Sequence, residues 1–88
     1  MKSKELYLDL MKRCLLDTIY GSIPIDDARV ELGLHWPDRA HTMIGLKRLN
    51  NIQYCFEHIV KDNVEGDVIE TGVWRGGACI FMKALVNL

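Results

Sequence analysis

The residues best suited to ligand chemistry lie in a glycine-rich loop near the end of the chain. Glu70 and Thr71 lead into the loop Gly72–Gly77, whose sequence is GVWRGG. Glycine lets a backbone approach a ligand closely and tolerates positive φ. A β-branched run at 68–71 precedes the loop, and apolar residues at helical spacing follow it at 78–88. We therefore predict a strand, a loop and a helix, which form the first half of a βαβ unit.

Two phosphate-containing ligands fit this loop poorly. A triphosphate loop needs Gly-Lys-Ser/Thr at the start of its helix, whereas Ala78 and Cys79 follow Gly77. A dinucleotide loop needs a glycine at the position that Trp74 holds, because the backbone must approach the pyrophosphate there. Glu70 would also repel a diphosphate. The pattern therefore disfavours both classes.

S-adenosylmethionine fits the loop better, because it carries a sulfonium and an ammonium group and no phosphate. Glu70 can accept hydrogen bonds from the amino-acid end of this cofactor, and such bonds to charged groups contribute roughly 1.5–3 kcal/mol. Gly72 would let the loop lie against the methionine portion. The alternative is a strand–helix turn that binds nothing, in which Trp74 fills the core and Arg75 is a surface charge.

The rest of the chain is predicted to be mainly helical. Apolar residues at helical spacing predict an amphipathic helix over about 3–20, ended by Gly21, and a second over about 42–61, capped by Thr42. A short helical turn is expected at 26–32. The apolar stripe of the second helix comprises Leu49, Ile52, Phe56, Ile59 and Val60.

Composition excludes several classes of protein. The net charge is -1, so the chain lacks the basic excess of a nucleic-acid binder. It also lacks the ~20 consecutive apolar residues of a membrane span. Its three cysteines are not at metal-ligand spacing and form no paired framework. We expect reduced thiols in a cytoplasmic protein that binds neither nucleic acid nor membrane.

Five stretches of the sequence, 6–10, 19–21, 40–49, 51–53 and 66–78, carry a combined pattern. The last of them is the most unusual, because Trp74 and Arg75 lie inside its glycine loop. Together these stretches resemble the macrocin O-methyltransferase (TylF-type) family of S-adenosylmethionine-dependent methyltransferases.

The resemblance implies an α/β fold, in which amino-terminal helices precede the first strand-loop-helix of a class I methyltransferase (Rossmann-like) domain. It divides the chain into an amino-terminal helical region, 1–62, and the start of the cofactor-binding domain, 63–88. It also implies contacts with the cofactor from the glycine loop and from the start of the second helix. These residues are Glu70, Thr71, Gly72, Val73, Trp74, Arg75, Gly76, Gly77, Thr42, Met43 and Ile44.

The implied activity is methyl transfer from S-adenosylmethionine to a hydroxyl, typically on a sugar of a natural product. Family members use a divalent metal, usually magnesium. The metal ligands, the catalytic base and the ribose-binding acid lie later in the family, so no catalytic or metal-binding residue is assigned here. We expect a truncated portion that is inactive alone, is partly helical, and is either molten or a dimeric homo-oligomer. The alternative is a small helical protein-interaction module without catalysis.

Overall fold

The computed structural model describes residues 2–20 and 23–88, and these residues form four helices and no strand. The helices are α1 (Ser3–Leu15), α2 (Ala28–Leu32), α3 (Leu46–Lys61) and α4 (Gly77–Val86). Helix α4 packs against α1 and α3, and α2 packs against α3. The glycine loop at 72–77, which is the site predicted from the sequence, leads directly into the start of α4.

The core forms where α1, α3 and α4 meet. Phe81 of α4 and Leu49 of α3 are fully buried, and Leu8 and Leu15 of α1 pack in the same cluster. Burying a large apolar side chain contributes about 1.5–3 kcal/mol relative to leaving it exposed. The predicted stripe of α3 is only partly used, because Val60 is exposed. The core thus lies toward the beginning of α3.

Helix α1 is shorter than predicted and ends at Leu15. Asp17 adopts a left-handed φ of 58°, which an α-helix does not accommodate. The Leu15 carbonyl oxygen accepts hydrogen bonds from the backbone N–H groups of His41 and Thr42, at 3.0 and 3.2 Å. The prediction of helix up to residue 20 was wrong because this distant segment contacts the helix end. The proposed stop at Gly21 lies outside the described residues.

The short helix predicted at 26–32 is confirmed as α2, which Asp27 caps by accepting a hydrogen bond from the Arg29 N–H at 2.8 Å. The start predicted for α3 was wrong. Its N-cap is Gly45 rather than Thr42. Thr42 is buried, and its Oγ1 accepts a 3.4 Å hydrogen bond from the Ile44 N–H, so its side chain stabilises a turn ahead of the helix.

The strand predicted at 68–71 is not formed among the described residues. Residues 64–70 have no regular secondary structure and carry exposed apolar side chains, including Val68 and Ile69. A strand requires hydrogen bonds to a neighbouring strand, and no described residue supplies one. The helix predicted after the loop is confirmed as α4.

Candidate functional site

Glu70 lies at the end of the irregular segment 64–70 and is half-buried. Its Oε1 accepts a hydrogen bond from the thiol of Cys79, in the first turn of α4, at a Sγ–Oε1 distance of 2.8 Å. This hydrogen bond raises the pKa of the Cys79 thiol, and desolvation and the negative charge of Glu70 raise it further. The carboxylate is therefore held beside the glycine loop by the helix that follows.

Gly72 is the position in the loop where the backbone borders unfilled space. Its φ is +70°, a conformation that other residues rarely adopt, and a Cβ atom there would meet no heavy atom within 4 Å. The glycine is thus required by the backbone conformation, while the space beside it is unfilled. An acidic group and an open backbone lie two residues apart, which suits a cationic ligand.

Gly77 has the opposite surroundings. Its N–H donates a 2.8 Å hydrogen bond to the His41 carbonyl oxygen. A Cβ atom at this position would lie 2.6 Å from the Thr42 Cβ and would also overlap the His41 carbonyl. The absence of a side chain therefore lets the start of α4 contact the segment that precedes α3. This contact brings Thr42 to the end of the glycine loop.

Trp74 and Arg75 contact the same preceding segment. The Arg75 guanidinium lies 4.3 Å from the centroid of the Trp74 ring, and the Trp74 ring meets the Trp36 ring edge-on at 5.9 Å. Arg75 Nη1 donates to the carbonyl oxygens of Asp38, at 2.7 Å, and Ala40, at 3.1 Å. The middle of the loop is therefore attached to residues 36–40.

The other residues assigned to the cofactor differ in their surroundings. Ile44 packs against the core cluster, and Met43 is half-buried. Thr71 and Val73 are exposed, and the Val73 carbonyl accepts a 3.0 Å hydrogen bond from the Gly76 N–H, which closes the turn. The structure thus brings Thr42 to the glycine loop, while the Ile44 side chain packs against the core.

Sequence reasoning missed the partners of the loop. Cys79 orients Glu70, while Asp38, Ala40 and His41 bind the loop through backbone carbonyl groups. A carbonyl acceptor has no signature in the sequence. The one signal that could have predicted such partners was Arg75 itself, because an arginine has several N–H donors that need acceptors.

A cavity of about 620 Å³ lies away from this loop. It is formed by α1, α3 and the end of α4, with apolar walls that include Leu8, Phe56 and Val60. Within residues 2–20 and 23–88, no group of three or more His, Cys, Asp or Glu side chains could hold a metal ion. No helix of the described chain is both long enough and apolar enough to cross a membrane.

Comparison with known proteins identifies the family. The model of a family described as macrocin-O-methyltransferase (TylF) matches residues 22–88, which include the glycine loop and all of its contacts with residues 36–42. The chain belongs to the TylF family. The resemblance noted in the sequence is thereby confirmed.

Curated relatives of this TylF-family chain are O-methyltransferases. It is 51% identical to the 8-demethyl-8-(2,3-dimethoxy-alpha-L-rhamnosyl)-tetracenomycin-C 4'-O-methyltransferase of Streptomyces olivaceus, over 97% of the chain and 36% of that protein. It is 52% identical to the mycinamicin III 3''-O-methyltransferase of Micromonospora griseorubida, over 94% of the chain and 37% of that protein. The chain therefore spans about a third of the length of the curated relatives it matches.

A solved structure shares the fold of this TylF-family chain. The O-methyltransferase NovP superposes with a TM-score of 0.86 at 46% sequence identity, and the match covers 97% of the chain and 37% of NovP. The helical arrangement described above is therefore that of the corresponding part of an O-methyltransferase.

Proposed function

We propose that the chain is part of an S-adenosylmethionine-dependent O-methyltransferase that methylates a sugar hydroxyl of a natural-product glycoside. The observation that carries this proposal is the family match, which covers residues 22–88 and includes the complete glycine loop. The names of two relatives support the acceptor class, because one acts on a rhamnosyl tetracenomycin and the other on mycinamicin III.

The fold of the whole protein is proposed to be Rossmann-like. Residues 63–88 would begin the cofactor-binding domain, and 1–62 would be the amino-terminal helical region. The exposed apolar side chains of Val68 and Ile69 support this proposal, because helices packed on both faces of a parallel sheet would bury them. In that setting residues 68–71 would form the first strand.

The loop residues fit S-adenosylmethionine by charge and by space. Glu70 would accept hydrogen bonds from the ammonium group, and the unfilled space beside Gly72 would admit the methionine portion. Thr42 lies at the far end of the loop and supports its backbone through the contact with Gly77. When bound, the cofactor supplies the electrophilic methyl group of its sulfonium.

The contribution of this chain to catalysis is proposed to be cofactor positioning. Methyl transfer depends largely on holding the reacting groups in line, together with a base for the hydroxyl proton. No base is assigned to the described residues, and they do not fit magnesium because they hold no cluster of ligands. We therefore expect the 88 residues alone to bind cofactor without methylating a glycoside.

Calorimetric titration of the 88-residue chain with S-adenosylmethionine tests the proposal. We expect weak binding that Glu70→Ala reduces at least tenfold, because the variant removes the carboxylate that pairs with the ammonium group. Glu65→Ala is the matched control, since Glu65 is an exposed acid five residues earlier, and it should leave the affinity unchanged. Absence of binding, or equal loss in both variants, would instead favour the interaction-module alternative.

A further inference from the structure

Arg75 is bound to backbone rather than to an acidic side chain. Its Nη1 donates to two carbonyl oxygens, those of Asp38 and Ala40, which lie 37 and 35 residues earlier in the chain. Among the described residues, no Asp or Glu carboxylate forms a salt bridge with it. A guanidinium has its donors in a fixed planar fork, so these two contacts restrict both its position and its orientation.

Trp74 holds a backbone conformation that a bulky residue rarely adopts. Its φ of 53° places it in the left-handed region. Such a conformation persists only where the surrounding structure fixes it. Here the Arg75 guanidinium lies 4.3 Å from the centroid of the Trp74 ring, and the Trp36 ring meets the Trp74 ring in a T-shaped contact at 5.9 Å between centroids. The strained residue and the arginine therefore stabilise one arrangement of the loop.

We propose that Arg75 is a positioning residue that clamps the glycine loop to segment 36–42, with the T-shaped contact between Trp36 and Trp74 as the aromatic part of the clamp. This inference rests on the proposed function. Arg75 was predicted to contact the cofactor directly, whereas here it acts on the cofactor through the loop backbone. The guanidinium fixes Trp74, two residues from Gly72. Fixing that point before the cofactor arrives reduces the ordering that binding must otherwise supply.

The electrostatics of the cofactor agree with this arrangement. A guanidinium directed at the sulfonium or the ammonium group of S-adenosylmethionine would repel it. Arg75 Nη1 is instead engaged by carbonyl oxygens, and the guanidinium faces the indole of Trp74. Glu70 is then the charged residue of the loop that is suited to the cationic groups.

The two aromatic residues of the clamp also supply its spectroscopic probe. Trp36 and Trp74 are the two tryptophans of the sequence, and indole rings this close and steeply inclined couple in far-ultraviolet circular dichroism. We expect the full chain to show a coupled-indole band that Trp36→Phe and Trp74→Phe each abolish. Arg75→Ala should remove most of the band, while Arg75→Lys should retain part of it because an ammonium can still donate to the carbonyl groups.

Affinity for S-adenosylmethionine is measured on the same variants. We expect Arg75→Ala to weaken binding at least tenfold with unchanged helical dichroism, and Arg75→Lys to recover part of the affinity. Arg39→Ala is the matched control, since Arg39 is an exposed arginine within the clamped segment, and it should change neither quantity. If Arg75→Ala unfolds the chain, the comparison between Arg75→Lys and wild type tests the clamp instead. An indole band and a cofactor affinity that are both intermediate in Arg75→Lys would support it.

Three results have distinct meanings. An unchanged indole band in Arg75→Ala would overturn the clamp. A lost band with unchanged cofactor affinity would overturn the positioning role. If the wild-type chain binds no cofactor while the band responds as expected, the proposed function fails and the clamp itself stands.

Discussion

The segments 34–45 and 62–75 both lack helix and strand, yet their environments differ sharply. In the segment 34–45, Ala40 is fully buried and Thr42 is 4% exposed. In the segment 62–75, Ile69 is 85% exposed, and Glu70 is the one residue that is half-buried. The second segment contains β-branched apolar residues, so apolar character alone does not explain which segment is buried.

Backbone hydrogen bonding explains the difference. The N–H groups of His41 and Thr42 donate to the Leu15 carbonyl, and the His41 carbonyl accepts from Gly77. Burying a peptide group without such partners costs roughly 1–3 kcal/mol. Residues 65–70 have no comparable backbone partner among the described residues. Irregular backbone is therefore buried where neighbouring helix ends satisfy its polar groups.

The largest effect is expected from adding a methyl group where the buried segment meets α4. Gly77→Ala would force the His41 carbonyl and Thr42 away from the helix, because the new Cβ overlaps both. We expect the free energy of unfolding to fall by about 1–3 kcal/mol, as for other overpacked sites. Urea denaturation measures this loss. Ile80→Ala, on the exposed face of the same helix, should cost clearly less, and equal losses would contradict the close contact.

The hydrogen bond between Glu70 of the exposed segment and Cys79 of α4 is predicted to protect a thiol. Because Glu70 raises the pKa of Cys79, the thiolate fraction at mildly alkaline pH is reduced and alkylation should be slow. Mass spectrometry after iodoacetamide treatment should find Cys79 labelled later than the exposed Cys14 and Cys55. Glu70→Gln should remove the protecting charge and accelerate labelling at Cys79 alone.

The hydrogen bond between Glu70 and Cys79 also makes the stability of the fold depend on pH. A thiol whose pKa is higher in the folded state than in the unfolded state stabilises the fold below its unfolded pKa. That contribution is lost as the pH rises through the folded pKa. Protection of Cys79 should therefore diminish at alkaline pH, and protection that increases with pH would contradict the hydrogen bond to Glu70.

The smallest effect is expected from polar substitution within the exposed segment. Ile69→Thr keeps the β-branched shape at a side chain that is largely in water, so the free energy of unfolding should change by no more than about 0.5 kcal/mol. Urea denaturation again provides the measurement. A loss of about 1 kcal/mol or more, twice that limit, would show that the segment is packed in solution and would remove the contrast between the two segments.

Local pattern predicted the elements whose partners are close in sequence. Helix α4 follows from its glycine start and apolar spacing, and α2 follows from the cap at Asp27. The end of α1 was mispredicted because the Leu15 carbonyl is bound by residues 26 and 27 positions later, at His41 and Thr42. The strand at 68–71 depends on neighbouring strands, which no local pattern can supply.

The candidate site follows the same rule. Charge and glycine spacing predict that Glu70 and Gly72 are suited to a cationic ligand, and this assignment stays a prediction. The role of Arg75 was not predictable, because its acceptors are peptide carbonyls at Asp38 and Ala40. A side chain that binds backbone leaves its partners free to vary in sequence.

The backbone of His41 joins two helices. Its N–H binds the carbonyl end of α1 and its carbonyl binds the amino end of α4, while its imidazole is exposed. Any side chain could therefore stand at this position provided that it keeps an amide hydrogen, which proline alone lacks. Main-chain hydrogen bonds thus set the distance between the first helix and the glycine loop. The surface side chain at this position can therefore change during evolution without moving the loop.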